Sequence, residues 1–442
     1  MRFSNIEFET LHSNKHRIHF LIGFVCVVVL LVLFIVGRSH AKYRVTESIP
    51  LVNGTINYSL ADLNIIAITV DGETVDTIPE GNYELTEESY CTIDGEQDDS
   101  IKLSYDMETQ KLTVSPFTTK GTKCYLDFIK KDFAKETLDK LDLIVTEGTP
   151  NFNNTSCTNG SNNGGNCGEQ TVGLYEETTS KGTTYYFRGD VNNNYLVFAN
   201  KYWRIIRINE DGSIRVIYSG EKSTVDSAGK ETVLANGYND ESTGYTQIGS
   251  GRYNNNPNQN ESVGFTYTEG LQRPTNTSSG TPSVIKGILD TWYSSNLEAF
   301  DGMITSAPGF CNDRELASGY TWSTGSSIDY KFSERVYSAT FSTPTLECSN
   351  SDDLYQTKIG LITADEVVYA GAGKGSNYGY YLFTGNSCWT MTPLGGGSVT
   401  IFTRWFGDYQ VTVPAGVRPV INISSNVTIT GSGTIQDPYI VN

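Results

Sequence analysis

Histidine is missing from almost the whole chain. All four residues, His12, His16, His19 and His40, precede position 41. Ser-His-Asp and Cys-His nucleophile systems need an imidazole that titrates near neutral pH, and the common zinc enzymes need imidazole ligands. Both classes are excluded for the body of the chain unless a partner supplies the ring. Basic side chains are scarce too. The first 44 residues hold six basic and two acidic residues, which leaves 26 basic and 48 acidic, a balance of −22, in residues 45–442. Such a body repels phosphate backbones, so no nucleic acid is expected as a partner. Charged residues are 19% and apolar residues 38% of the chain, both low. Gly, Asn, Ser, Thr and Tyr fill the gap, which favours short strands and many turns over long helices.

Long apolar runs are absent with one exception. Phe20 to Gly37 reads FLIGFVCVVVLLVLFIVG, without a charge. At about 1.5 Å rise per residue it nearly spans a hydrocarbon core of roughly 30 Å. The expectation is a cytoplasmic tail over 1–19 and a single-pass transmembrane helix over 20–37, with the body outside the cell. Flanking charge does not orient the helix, because Arg2, Lys15 and Arg17 precede it and Arg38, Lys42 and Arg44 follow. A rival reading is a signal peptide cleaved after Ser39-His40-Ala41.

Cysteine sets the orientation. Cys26 lies in the apolar run, and seven others scatter over turn-rich segments, as disulfide cysteines of an oxidising compartment do. Spacing does not fix connectivity. Proximity within candidate domains suggests Cys91–Cys124, Cys157–Cys167 and Cys311–Cys348, with Cys388 left over.

Residues 45–146 read as an all-β domain of immunoglobulin (Ig)-like type closing on a short helix. Asn64 to Val70 is rich in β-branched residues and meets Asp71-Gly72, a hairpin signal. Ile101, Leu103 and Tyr105, then Leu112 and Val114, alternate with polar neighbours. Phe133, Leu138, Leu141 and Ile144 give a helix over 132–145 an apolar face. An Asn/Gly-rich linker follows at 147–171, then a mixed α+β domain at 172–442. In it, Tyr185–Phe187, Tyr195–Phe198, Tyr202–Ile208 and Ser213–Tyr218 read as strands. Thr281-Pro282 opens one helix, and Thr363-Ala-Asp-Glu366 opens another with a capping box.

Several short motifs carry little. Ser283-x-x-Lys286 lacks the Ser-Asp-Asn and Lys-Thr-Gly companions of penicillin-recognising enzymes. Arg188-Gly189-Asp190 fits a hairpin edge as well as an adhesion tripeptide. Asp190-x-Asn192-x-Asn194 opens like a calcium loop, but Tyr195 and Lys201 occupy its glycine and glutamate positions. No cofactor is expected, and calcium has only the general surplus of carboxylates in its favour.

The segments IGLITADEVVYAG (359–371), CWTMTP (388–393) and AGVRPVINI (415–423) resemble, in that order, an uncharacterised domain family of bacterial surface proteins from Firmicutes and their relatives. YYFRGDVNNNYLVFANKYWRIIRIN (185–209) and FCNDR (310–314) are similar to it too, and the ESYC and GTKCYL segments around Cys91 and Cys124 resemble the β-domain that often precedes it. More remotely, the order of capped helix, Trp segment and Gly-Val-Arg strand is similar to the C-type-lectin-like fold of formylglycine-generating enzymes. Their oxidase chemistry needs two cysteines near the C-terminal core, where this chain offers only Cys388. Lectin-like relatives of that fold place their ligand surface just before the last strand. The resemblance therefore implies a binding surface within Trp389 to Val413, with Trp389, Arg404, Trp405, Asp408 and Tyr409 as its residues. Aromatics beside an arginine suit such a surface, and packing in a core is the competing role for each tryptophan.

The expected function is binding or adhesion outside a cell membrane, toward a surface glycan or protein. The alternatives are a carboxylate-based wall-glycan hydrolase, for which Asp313, Glu315, Asp365 and Glu366 are available, and a structural envelope component.

Overall fold

The computed structural model describes residues 63–78, 83–106, 111–115, 122–152, 172–221, 246–257, 260–271, 280–322, 328–339, 342–373, 379–403 and 406–442. They divide into two compact units, one ending at Ile129 and the other beginning at Lys130.

The first unit is a mixed sheet. Strands β1 (Leu63–Val70), β2 (Glu73–Val75), β3 (Tyr83–Leu85), β4 (Tyr90–Ile93), β5 (Glu96–Gln97) and β8 (Thr122–Lys130) form it in the order β2-β1-β8-β4-β5, with β3 also on β8. β6 (Lys102–Asp106) and β7 (Lys111–Ser115) form a separate hairpin. β8 alternates strictly, burying Cys124, Leu126 and Phe128 on one face. It runs parallel to β1 and antiparallel to β4. Asp71-Gly72 and Asp94-Gly95 close the two tight hairpins with φ of 50° and 82°, and 52° and 91°, the paired positive values that a primed turn requires. Cys91 and Cys124 face each other across β4 and β8 and are disulfide-bonded.

The second unit centres on an eight-stranded sheet. Its hairpin strands are β9 (Gly173–Thr179), β10 (Gly182–Arg188), β11 (Tyr195–Phe198), β12 (Lys201–Ile208) and β13 (Ile214–Glu221). A second sheet holds β14 (Ser250–Gly251), β17 (Cys388–Gly395), β18 (Ser398–Phe402), β19 (Phe406–Gln410) and β20 (Ala415–Gly416), and β15 (Phe310–Cys311) pairs with β16 (Leu354–Tyr355). Strands β21 (Val420–Ile423), β22 (Ile429–Thr430) and β23 (Tyr439–Val441) return to the first sheet, whose order is β21-β13-β12-β11-β23-β22 with β10 between β9 and β12. Every residue of β12 is buried, its three basic side chains Lys201, Arg204 and Arg207 included, so both faces of the strand are covered. Helices α1 (Phe133–Lys140), α2 (Val284–Asn296) and α3 (Ala364–Ala370) lie among these sheets.

This corrects the expected architecture of a transmembrane helix, an all-β Ig-like domain and a mixed α+β C-type-lectin-like domain. The described chain is mostly β-sheet with few helices. The longest, α2, has 13 residues, about 20 Å at the α-helical rise, too short for a hydrocarbon core of roughly 30 Å. No helix among the described residues is long and apolar enough to cross a membrane. The run Phe20 to Gly37, on which the single-pass membrane reading rested, lies outside the described residues.

Helix α1 illustrates how local and distant contacts agree. Asp132 caps it by accepting from the Lys135 N–H at 2.8 Å. Its inner face buries Ala134, Thr137 and Leu138, and the Thr137 hydroxyl donates to the Gly212 carbonyl at 2.7 Å. Gly212 has φ +77°, and a Cβ there would meet the Phe133 carbonyl oxygen at 2.7 Å. Gly212→Ala is therefore expected to cost about 1–3 kcal/mol through backbone strain and the clash together. Urea unfolding checks this, and an unchanged midpoint would mean that the helix does not sit on this turn.

Candidate functional site

The second unit contains a cleft of about 530 Å³, lined by segments distant in sequence. The β9–β10 turn supplies Thr179, Ser180 and Lys181. β12 and β13 supply Arg207 and Arg215, which are cross-strand partners. Helix α3 supplies Asp365 and Glu366 from its first turn. The Cys311–Cys348 disulfide ties the end of β15 to the loop around 345–348, and the two form another wall.

Two charge clusters sit in these walls. In one, the Arg335 guanidinium donates from Nη1 to Asp313 Oδ2 at 3.0 Å and from Nη2 to Asp365 Oδ2 at 2.8 Å. Asp313 also accepts from Ser349 Oγ at 2.7 Å and from the Glu315 N–H at 3.2 Å, and Asp365 accepts from the Thr345 N–H at 3.1 Å. Burial pushes the Asp365 carboxyl above the usual range for an aspartate, against the pull of Arg335.

The second cluster grows from the capping box. Thr363 Oγ1 accepts from the Glu366 N–H at 3.1 Å, and the Thr363 N–H donates to Glu366 Oε2 at 2.9 Å. The cap fixes the Glu366 carboxylate and turns Oε1 toward the two arginines. Arg207 Nε donates to it at 3.3 Å. Arg215 Nε lies 2.7 Å away, a close charge contact in which the N–H does not point along the line. Arg207 Nη1 also reaches Glu210 Oε2 at 3.4 Å, and Thr179 Oγ1 donates to Glu210 Oε1 at 2.8 Å.

The residues expected to form a binding surface are not gathered here. Trp389 is 0% exposed. Its Nε1 donates to the Gly251 carbonyl at 2.8 Å, and its ring meets Tyr253 and Tyr409 edge-on. Asp408 is exposed and Tyr409 half-buried on β19. Arg404 and Trp405 lie outside the described residues, as do Cys157 and Cys167. The pairs Cys91–Cys124 and Cys311–Cys348 are bonded as expected. Cys388 is a free, buried thiol whose pKa burial raises to about 11, which leaves it a poor nucleophile. Arg188 of the Arg-Gly-Asp segment is buried, donating to the Val368 and Tyr369 carbonyls at 2.7 and 2.9 Å, so it is closed to an adhesion receptor.

Of the four candidate carboxylates, Asp313, Asp365 and Glu366 line the cleft. Arg207, Arg215 and Arg335 escaped notice in the sequence. For Arg207 and Arg215 the one signal was charge inside strands otherwise fit for burial, since a buried charge needs a partner; the polar segment around Arg335 carried no such signal. Among the described residues no group of three or more His, Cys, Asp or Glu is placed to hold a metal ion.

No family model matches the chain, and neither a curated protein nor a solved structure matches it.

Proposed function

We propose that the protein is a binding module of an oxidising compartment and that the cleft of the second unit holds a glycan. The observation that carries this is the cleft of about 530 Å³ whose wall charges are locked to one another. Its size suits a small ligand rather than a protein surface. Locked guanidinium and carboxylate groups cannot collapse onto each other further, so they present fixed donors and acceptors. Sugar hydroxyls can both donate and accept, and preorganised polar walls bind them at a lower ordering cost. Thr179, Ser180 and Thr345 add hydroxyls at the walls. The bonded Cys311–Cys348 pair fits an oxidising compartment, and the resemblance to bacterial surface proteins points the same way.

A carboxylate-based hydrolase is the second reading. It has in its favour that Asp313 and Asp365 face one cleft and that burial raises the Asp365 carboxyl. Against it, one guanidinium grips both carboxylates, so neither is poised to give a proton to a leaving group or to activate a water.

Screening the full chain on a glycan array tests the proposal. Ser351 is exposed at the cleft mouth. Ser351→Trp should fill the mouth and weaken glycan binding at least tenfold with an unchanged thermal midpoint. A blank array, or glycan binding indifferent to Ser351→Trp, would overturn the reading. Sugar release that disappears in Asp365→Asn would favour the hydrolase.

A further inference from the structure

The floor of the cleft holds two arginines with spare donor capacity. Arg207 and Arg215 stand side by side on β12 and β13, 7% and 1% exposed. Arg215 is held on three sides: its Nη1 donates to the Gly309 carbonyl and to Asn422 Oδ1 at 3.1 and 3.2 Å, its Nε faces Glu366, and its guanidinium carbon lies 4.3 Å from the centre of the Phe310 ring. Arg207 spends Nε on Glu366 and Nη1 on Thr184 and Glu210. Among the described residues, Nη2 of neither arginine has a hydrogen-bond partner.

The shared carboxylate cannot serve both guanidiniums fully. Glu366 Oε2 is taken by the capping box, so both arginines converge on Oε1 alone. Glu210 relieves Arg207 but is not within hydrogen-bond reach of Arg215. Arg215 is thus a nearly fully buried cation with a shared counter-charge, and burial, opposed by Glu366 and aided by Arg207, pulls its pKa down to about 10. An incoming anion would supply what it lacks.

We infer that Arg207 and Arg215 form an anion subsite at the cleft floor, and that the ligand is an acidic sugar carrying one negatively charged oxyanion, a carboxylate or a sulfate ester. The inference rests on the glycan reading above and names the class of glycan. Two guanidiniums on cross-strand neighbours, each with Nη2 unspent, can donate to two oxygens of one group, which favours planar or tetrahedral oxyanions over neutral hydroxyls. Glu210 and Asp211 in the same wall disfavour a doubly charged phosphate ester or a polyanion.

Titration of the full chain with glucuronate, N-acetylglucosamine 6-sulfate and N-acetylglucosamine tests it. The expected result is at least tenfold tighter binding of one or both acidic probes than of the neutral one, with a preference that fades as salt rises. Arg207→Gln and Arg215→Gln should each bring the acidic-to-neutral ratio close to one. Should Arg215→Gln fail to fold, Arg207→Gln carries the test, since its partner Glu366 keeps Arg215. The carboxylate and sulfate arms tell which oxyanion the floor takes. Equal binding of acidic and neutral probes overturns the subsite and leaves the glycan reading standing, as does an acidic preference that survives both substitutions. Binding of none of the three overturns the subsite, and together with a blank array it overturns the glycan reading as well.

Discussion

Arg335→Ala should destabilise the second unit by about 3–5 kcal/mol near neutral pH, the usual cost of removing one partner from a buried ion pair. The guanidinium neutralises Asp313 and Asp365 at once, through hydrogen bonds of 3.0 and 2.8 Å. Without it, two carboxylates remain in a wall where they are 5% and 4% exposed. The loss should depend on pH, and its sign follows from Asp365. Its folded-state pKa already stands above the ordinary value because of burial, with Arg335 holding it back. A raised carboxyl gives stability that is fully present below the unfolded pKa of about 3.9 and is lost as pH rises through the folded value. Removing Arg335 raises the folded value further and widens that window. The variant's deficit should therefore shrink as pH falls from 7 toward 4. Urea unfolding at both pH values checks it, and a deficit that is constant or grows on acidification would refute the charge account.

Trp389→Ala should cost about 3–5 kcal/mol, the range for deleting a large buried ring. Trp389 has no exposed surface, packs against Tyr253 at 5.6 Å between ring centres, and gives its Nε1–H to the Gly251 carbonyl. Trp389→Phe keeps most of the ring contact but strands that carbonyl, so about 1–3 kcal/mol should be lost. Glycan affinity should survive Trp389→Phe, because the ring lies in the core and not in the cleft wall. A stable Trp389→Phe protein that had lost its ligand would place the ring at the binding surface after all.

What the sequence made legible was local. The capping box at Thr363 and Glu366, the Asp71-Gly72 turn and the strand alternation around Cys124 each depend on neighbours within a few residues. Boundaries shifted where tertiary contacts decided them. Thr281 and Pro282 pair with Tyr267 and Thr266 as a short strand, so Ser283 caps α2 instead. Helix α1 stops at Lys140, and Ile144, read as part of its apolar face, is 86% exposed. Trp389 was read with Asp408 and Tyr409 as a ligand surface, yet sequence alone could not say which way the strand turns its ring. The cleft was hidden for a different reason. Arg207 and Glu366 are separated by 159 residues, and Arg335 reaches Asp313 and Asp365 across 22 and 30. No spacing rule links such residues. Only the basic residues Lys201, Arg204 and Arg207, set among the large apolar residues of β12, hinted that counter-charges waited elsewhere.

Hydrogen–deuterium exchange of the full chain, with and without the tightest glycan from the array, tests the central claim most directly. Bound ligand should slow exchange at 179–181, 207–215, 307–313 and 345–351, the segments that wall the cleft. Protection confined to strands β18 and β19, 398–402 and 406–410, with none in the cleft walls, would contradict it.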